Sequence, residues 1–564
     1  MNQAAQLEES IVSSVNESRF LEHLRTLFST STTVLAECLQ NGRRAGASQI
    51  DFDYDASTST LTITDNGCGI ADFRALVTVA ESGWSEETMA SEKPFGIGFF
   101  SVSFAAETIV VESRGRQISF SSEDLIAKRQ IAVQPSSFIG GTRISLIKSK
   151  LDEKNIRNAL GNYAKGFAVP VFWGEEELER PHALAYLNGA TTPIGFVHVP
   201  GIHSDAPIAF NGLGVVYCQG LPVTVQGFTK HYHGDKEPCP IVHVDHLVYT
   251  PRMPDRDSLI DSEKASKDFY AVLKGLWRDH ITAKKAEMSA VDFVETYWNA
   301  AQKADFLTVM GDVPVLPKRM VQYVAETPVL LRDGDCYMYR YKDHVTLEQV
   351  QSGEVQLCKD FDEEGGGTDF AKLMFAMMTN LLFVQYGLPD NHWVRPFLRD
   401  IAEEEVKIGG KVVASEHFSG GWCEGSAKLV KDLAVTMGCK TVLLDEPVCL
   451  GSDAWSGSAA FLVPLHVAKN GGSAGYVLRQ LSTYVDGNDN YCETDFSLDS
   501  DRFDDLVAIL AGEPGNETIE KCLENAGARR KTNLRNKSFL VTFDGEGNIV
   551  VTEAQAQAQA QAQA

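Results

Sequence analysis

Three short segments near the start of the chain constrain it more than any other feature. They are Glu37-Cys-Leu-Gln-Asn41, Asp65-Asn-Gly-Cys-Gly69 and Pro94-Phe-Gly-Ile-Gly-Phe-Phe-Ser101. A carboxylate and an amide four residues apart share one face of a helix, and that face can hold a water molecule and a metal ion. The glycines permit a tight turn and a close approach of backbone N–H groups to phosphate oxygens. Together the segments predict a nucleotide-binding site.

The order of these segments is more specific than any one of them. The second follows an alternating run, Leu61-Thr-Ile-Thr64, and a fourth element, Gly140-Gly-Thr142, opens the run Arg143-Ile-Ser-Leu146. In this order the chain resembles the GHKL superfamily of ATPases, whose Bergerat fold uses an N-box, a D-x-G-x-G motif, a glycine-rich lid hinge and a late G-T element. Within it, Phe95-Gly-Ile-Gly-Phe-Phe-Ser101 looks most like the heat-shock-protein-90 group and its bacterial relatives.

The resemblance implies a role for each residue of the site. Glu37 would be the general base that activates water, and Asn41 would coordinate Mg²⁺ through its amide oxygen. Asp65 would accept a hydrogen bond from the adenine amino group, which selects ATP over GTP. ATP and Mg²⁺ are the implied cofactors, and the remaining cofactor-binding residues are Gly67, Gly69, Lys93, Gly96, Gly98, Phe99 and Thr142.

A later segment, Arg256-Asp-Ser258, looks like the middle-domain segment of the same group that carries a phosphate-sensing arginine. Arg256 is therefore the first candidate to reach the γ-phosphate and the second predicted catalytic residue, with Arg252 as the next choice. The alternative is a surface arginine beside Asp255 and Asp257, because short exposed ion pairs are common and contribute little energy.

The first segment departs from the family pattern at one position. The family commonly has an aspartate three residues after the asparagine, whereas this chain has Arg44, directly before Ala45. A reversed charge beside the nucleotide can alter affinity or turnover. The sequence therefore predicts nucleotide binding more directly than hydrolysis.

Length and composition predict a multidomain globular protein. The chain has 564 residues, with 44% hydrophobic and 23% charged side chains, and domains commonly hold roughly 100–200 residues. The net charge of −25 argues against nucleic acid or an anionic membrane as a partner. Eleven cysteines without a C-x-x-C pair indicate free thiols, and with no secretory signal pattern they predict a cytoplasmic protein.

The predicted fold class is α/β (α+β), in four regions. Residues 1–168 are expected to form a Bergerat-type α/β sandwich, with helices on one face of a mixed sheet and ATP between them. Residues 169–310 are expected to form an S5-like transducer domain, and residues 311–552 a mixed α/β domain of unknown role. Residues 553–564, which alternate alanine and glutamine, are expected to be a disordered tail.

The periodicity of apolar residues also predicts individual elements. Helices are expected at 20–48, 73–83, 151–167, 263–300, 370–386 and 426–437. A hairpin is expected at 50–64, a polar lid at 85–94, and strands from 108 to 146 and at 441–444. The expected core positions of the 108–146 strands are Val110, Ile118, Ile131 and Ile144.

Two clusters leave alternatives open. The first contains good zinc-ligand types at spacings that match no trusted zinc pattern, so partly buried histidines at a domain junction are the favoured interpretation; its members are His231, His233, Cys239, His243 and His246. The second is basic and is interpreted as a solvated helix end rather than a nucleic-acid site; its members are Arg529, Arg530, Lys531, Arg535 and Lys537.

The function that follows is an ATP-driven conformational clamp of heat-shock-protein-90-like, chaperone-like character, with slow hydrolysis. It would act on client or partner proteins, with N-terminal dimerisation and without a membrane. One alternative is a DNA-acting or antiviral-defence ATPase resembling MutL or the MORC proteins. A second alternative is a nucleotide-dependent scaffold with negligible turnover.

Overall fold

A computed structural model describes residues 32–78, 98–207, 213–229, 238–252, 256–325, 338–360, 367–419, 424–445, 447–453, 459–464 and 514–554, with separate positions within 81–89 and 494–512. The chain divides into two units, Met1–Ser289 with Thr296–Leu307, and Ala290–Glu295 with Thr308–Ala564. Both contain helices and mixed sheets, which confirms the predicted α/β class.

An eight-stranded mixed sheet occupies the N-terminal part of the first unit. Its strands are β1 (Ile50–Asp55), β2 (Thr60–Asp65), β3 (Ala106–Ser113), β4 (Arg116–Phe120), β5 (Val133–Pro135), β6 (Thr142–Ser149), β7 (Val171–Trp173) and β8 (Glu176–Glu177). Their spatial order is β5-β4-β3-β6-β2-β1-β7-β8. The helices are α1 (Thr33–Arg44), α2 (Arg74–Val77), α3 (Gly98–Ser103), α4 (Ser122–Ile126) and α5 (Glu153–Ala164).

The pairing of β2 with its two neighbours positions the polar residues of the first segments. β1 and β2 form the predicted hairpin, and alternate residues such as Phe52 and Ile63 point into the core. β2 also pairs with β6, so that Asp65 and Thr142 are directly opposite each other. Since α1 packs its apolar residues into the same core, its polar face lies at this end of the sheet.

A second sheet of the first unit has five strands. They are β9 (Ala190–Thr192), β10 (Gly195–His198), β11 (Val215–Cys218), β12 (Leu221–Pro222) and β13 (Ile241–Val244), in the order β12-β11-β13-β10-β9. The predicted helix over 263–300 is instead two helices, α6 (Ser262–Glu287) and α7 (Ala290–Lys303). They are separated because Met288 is extended and Ser289 is a residue type that favours the start of a helix.

Among its described residues, the second unit has two five-stranded sheets and two pairs of strands. Its first strands and helices are β14 (Val315–Leu316), β15 (Val321–Val324), β16 (Met338–Arg340), β17 (Val345–Thr346), α8 (Leu347–Gln351), β18 (Gln356–Lys359), α9 (Gly367–Met378), β19 (Leu381–Val384) and β20 (Leu398–Arg399). The next are β21 (Val406–Ser419), β22 (Glu424–Met437), β23 (Lys440–Leu444), β24 (Val448–Asp453), β25 (Ala459–Pro464), α10 (Gly515–Asn525), β26 (Phe539–Phe543) and β27 (Ile549–Glu553). The sheets run β16-β15-β19-β18-β20 and β21-β22-β24-β25, with β23 on β22; the pairs are β14-β17 and β26-β27.

The predicted helix over 426–437 is wrong, because this segment forms most of β22. Leu433, Val435 and Met437 are buried in strict alternation. Asp432 has a φ of 52° beside a register shift between β21 and β22, and such a bulge changes which side chains face the core. The buried residues Leu429 and Val430 are therefore separated from Leu433 by a spacing that is typical of a helix, although the backbone is extended. The strand predicted over 441–444 is confirmed as part of β23.

Three further expectations need correction. The helix expected over 73–83 is only Arg74–Val77, because Thr78 is extended and its hydroxyl donates to the Arg74 carbonyl. The helix expected over 370–386 ends at Met378 and is followed by β19, which is buried against neighbouring strands. In β3, Ile109 and Val111 are buried whereas Val110 is only partly buried. Ile131 is also only partly buried, while Ile118 and Ile144 are in the core.

Some expectations fall outside the described residues. These include the start of the helix at 20–48, most of the lid at 85–94, and all but the first two residues of the tail at 553–564. Among the residues that the structure describes, no helix has both the length and the apolar character needed to cross a membrane.

Candidate functional site

A cavity of about 270 Å³ lies between helices α1 and α3 and strands β2 and β6. Apolar side chains form much of its wall, including Ile50, Ile63, Leu76, Phe99 and Ile144. The rest of the wall consists of charged and polar side chains, which come from α1, from the end of β2 and from a distant loop. An apolar cleft with a few convergent polar groups is the usual form of a small-molecule site.

Asp65 is the polar group at the end of β2. Its Oδ1 accepts a hydrogen bond from the backbone N–H of Gly67 at 2.9 Å. Burial raises the pKa of the Asp65 carboxyl, and hydrogen bonds from Gly67 and Thr142 oppose that rise. Gly69 completes the turn in the left-handed region, with φ 71°, where other residues are strained. The carboxylate is therefore held in a fixed direction within a largely apolar wall.

Glu37 lies on the buried face of α1 and is 9% exposed. Its Oε1 is 3.9 Å from Arg44 Nη1, and its Oε2 is 4.0 Å from Arg256 Nε. A Cβ atom added at Gly98, the first residue of α3, would overlap the Glu37 carboxylate. The absence of a side chain at Gly98 is thus what allows α3 to approach this carboxylate.

Arg256 lies in a loop on the second sheet of the same unit. Its loop is tied to that sheet where Thr224 N–H donates to the Asp257 carbonyl at 2.7 Å. Arg256 Nη1 donates to Gln219 Oε1 at 3.2 Å, and the Gln219 carbonyl accepts from Gln40 Nε2 of α1 at 2.9 Å. The Arg256 side chain is 11% exposed, so it is not the surface arginine of the alternative interpretation.

Most of the predicted site residues meet in this one cavity. Its lining includes Glu37, Asn41, Asp65, Gly69, Gly98, Phe99, Thr142 and Arg256. Gly67 is hydrogen-bonded to Asp65. Arg252, the second choice for the phosphate-sensing arginine, is exposed. Lys93 and Gly96 lie outside the described residues.

Two arginines that line the cavity, Arg44 and Arg114, were not predicted as parts of the site. Arg44 was noted only as a departure from the family pattern, yet its side chain is 1% exposed and it lines the cavity. Its position three residues after Asn41 in a helix was a signal that both share one face. Arg114, with φ 52°, donates from Nε to the Cys68 carbonyl at 2.8 Å, a contact for which the sequence offers no signal.

The histidine and cysteine cluster is only partly described, since His231 and His233 fall outside the described residues. His243 is buried on β13, where its Nε2 contacts the His182 carbonyl at 2.8 Å and its ring stacks on Tyr217. Burial lowers the pKa of His243. Within the described ranges, no three potential metal-ligating side chains converge.

Residues 29–140 match the model of a family described as histidine kinase-, DNA gyrase B-, and HSP90-like ATPase. The matched stretch contains Glu37, Asn41, Asp65 and Gly98, and it ends just before Thr142. Among curated proteins, none matches the chain. The family description covers several groups, so the match supports a GHKL-type ATPase domain in this region without singling out the heat-shock-protein-90 group.

Proposed function

We propose that the first unit binds ATP in the cavity between α1, α3, β2 and β6. The observation that carries this proposal is Asp65, a partly buried carboxylate that hydrogen bonds from Gly67 and Thr142 hold in a cavity with apolar and polar walls. Its oxygens can accept a hydrogen bond from the adenine amino group. Guanine carries a carbonyl oxygen at that position, which would face a carboxylate oxygen with no proton between the two acceptors, and such an unsatisfied contact is costly in a partly buried site.

Hydrolysis is the finer part of the proposal. Glu37 would take a proton from the water that attacks the γ-phosphate, and Arg256 would stabilise the charge that develops on the phosphoryl group. In the described arrangement both Glu37 oxygens lie near arginines. Those contacts must loosen before the carboxylate can hold a water molecule, so slow turnover is expected.

The residues beside Asn41 do not fit a magnesium ion in this arrangement. Mg²⁺ is held by unobstructed oxygen ligands in octahedral geometry. Asn41 Oδ1 is 3.4 Å from Arg44 Nη1, and this guanidinium also lies near Glu37. A second cation would have to displace Arg44 against its positive charge. We therefore derive no step of the reaction through the metal.

The contact between Arg256 and Glu37 also supports a conformational role for ATP. Arg256 comes from a loop on the second sheet, whereas Glu37 belongs to α1. A γ-phosphate that drew Arg256 to itself would change how this loop contacts α1. We propose that this change drives a chaperone-like clamp that acts on partner proteins, with closure by dimerisation. The two arginines beside Glu37 favour a second candidate function. In it, the protein is a nucleotide-dependent scaffold that binds ATP with negligible turnover.

Calorimetry with ATP and GTP, combined with phosphate-release assays, tests this proposal. The parent should bind ATP and not GTP. Asp65→Asn should weaken ATP binding by about fivefold to 150-fold, since a stranded polar group costs roughly 1–3 kcal/mol. Glu37→Ala should bind ATP without releasing phosphate. Asp53→Asn, at an exposed position of β1, is the matched control and should bind like the parent.

Two results would change the assignment. If Asp65→Asn bound ATP like the parent, the cavity would not be the adenine site. If the parent bound ATP but released no phosphate above the Glu37→Ala background, the scaffold would replace the ATPase.

A further inference from the structure

Arg44 occupies an unusual place for a buried arginine. It is the last residue of α1, and its Nη1 lies 3.4 Å from Asn41 Oδ1 and 3.9 Å from Glu37 Oε1. Its side chain is 1% exposed but lines the cavity. A guanidinium stays protonated in proteins, and the negative end of the helix dipole favours a cation in the last turn. Arg44 is therefore a permanent positive charge built into the cavity wall.

Two arginines approach the Glu37 carboxylate. Arg44 approaches one carboxylate oxygen and Arg256 approaches the other. Two guanidinium groups, from Arg44 and Arg256, thus lie at the same end of the cavity. Electrostatic interactions are stronger in a buried cleft than in water, so this end of the cavity is suited to a multiply charged anion.

The same arrangement bears on the form in which a nucleotide is bound. Divalent metal normally neutralises part of the triphosphate charge before or during binding. Here Arg44 lies against Asn41 Oδ1, the amide oxygen of α1 that lines the cavity. On the basis of the proposed function, on which this inference rests, we propose that Arg44 takes over the charge-neutralising role of the divalent cation. The site then binds a metal-free nucleoside triphosphate nearly as well as its magnesium complex.

The test measures ATP affinity of the full chain by calorimetry, in saturating Mg²⁺ and in EDTA without divalent metal. For the parent, the two dissociation constants should agree within about threefold. Arg44→Gln removes the charge at similar size, and its affinity in EDTA should be at least about tenfold weaker than in Mg²⁺. Arg44→Lys keeps the charge and should retain most of the parent's metal independence.

Arg43→Gln is the matched control. It lies next to Arg44 on α1, but its Nε donates to Gln40 Oε1 at 3.0 Å rather than reaching Glu37 or Asn41. The ratio of its two dissociation constants should equal that of the parent. A thermal melt of each variant shows whether it is folded. If Arg44→Gln is unfolded, the ratio for the parent and that for Arg44→Lys decide the question.

Each contrary outcome has a distinct meaning. A parent that loses more than about tenfold in affinity when Mg²⁺ is removed would overturn the inference while leaving ATP binding intact. A folded Arg44→Gln variant with the parent's ratio would also overturn it, since Arg44 would then be only structural. A parent that binds no ATP in either condition would overturn the proposed function and this inference with it.

Discussion

The Glu37 carboxylate is the most constrained group of the cavity at the scale of single residues. Gly98 lies against it from α3, while Arg44 and Arg256 approach its two oxygens. Its neighbour Cys38 is buried in the same helix, and this burial raises the pKa of the Cys38 thiol. A buried neutral thiol does not compete as a nucleophile, so Glu37 is the reactive candidate on this stretch of α1.

Gly98→Ala is expected to lower ATP turnover by at least about tenfold, because the added Cβ would displace the Glu37 carboxylate and displacements of about 1 Å are costly in catalysis. A steady-state phosphate-release assay measures the effect. Gly161→Ala is the control, since a Cβ at this helical position meets no atom within 4 Å. Equal turnover in Gly98→Ala and the parent would argue against Glu37 as the base.

At the scale of elements, the loop that carries Arg256 is one link between α1 and the second sheet. Gln219 accepts from Arg256 through its side chain and from Gln40 of α1 through its carbonyl. Both Gln219 and Arg256 have positive φ values, 52° and 56°, a conformation that is uncommon outside glycine. The surrounding contacts hold these two residues in place, so the loop position depends on the sheet and on α1 together.

Arg256→Ala is expected to lower turnover at least about tenfold and to change ATP affinity by less than about threefold, because the arginine would reach the γ-phosphate only in the closed state and would act mainly on the charge that develops in the transition state. Turnover and calorimetric affinity are measured on the same preparation. Arg252→Ala, in the same loop but exposed, should behave like the parent. If both variants turned over like the parent, the loop would have no catalytic part.

A histidine that contacts the second sheet, His182, also makes the free energy of unfolding depend on pH. Burial, together with the positive charges of Lys165, His243 and His198, lowers the pKa of His182 to about 4, and its Nδ1 contacts the Tyr217 hydroxyl at 2.7 Å. In the unfolded chain a histidine has a pKa of about 6.5. Between these two pKa values the unfolded chain binds the proton and the folded chain does not. The contribution of His182 to the free energy of unfolding is therefore complete above about pH 6.5 and falls toward pH 4.

Melting temperatures measured from pH 7.5 to 5 are expected to fall for the parent and to fall less steeply for His182→Gln. Removing the histidine removes one group that binds a proton only after unfolding. The control is His417→Gln, at an exposed position of β21, which should keep the parent's slope. Identical slopes for His182→Gln and the parent would show that His182 is not buried as described.

At the scale of the whole molecule, the net charge of −25 bears on the choice between the clamp alternatives. A clamp that encloses DNA needs a locally basic channel. In the basic cluster, Arg529 is paired with Glu524, and Lys537 is paired with Glu553 at 3.1 Å. These pairs neutralise part of the only basic cluster that the sequence singles out.

We expect no binding to duplex DNA at physiological salt, with or without a nonhydrolysable ATP analogue, because the acidic field repels phosphate. Gel-shift titration measures this directly. Neutralising Arg529, Arg530 and Lys531 together should leave ATP turnover unchanged. DNA binding that required the analogue and disappeared in this triple variant would promote the MutL-like or MORC-like alternative over the chaperone-like clamp.

The sequence by itself determined the parts of the site that depend on neighbours along the chain. The i, i+4 spacing of Glu37 and Asn41, the glycine turn after Asp65, and the alternation in β1 and β2 are local patterns, and the structure has helix, turn and strands at these places. Periodicity and backbone sterics determine helix faces, turns and strand faces, so these features can be predicted from short segments.

Only the tertiary structure decided which charges are buried and which apolar patterns become strands. Arg256 is buried through contacts with Gln219 and Glu37, residues distant in sequence, and a buried charge depends on what packs around it rather than on its neighbours in the chain. The bulge at Asp432 gave β22 a helix-like apolar spacing. Sheet pairing overrides such local periodicity, because strand partners contributed by other segments set the backbone hydrogen bonds.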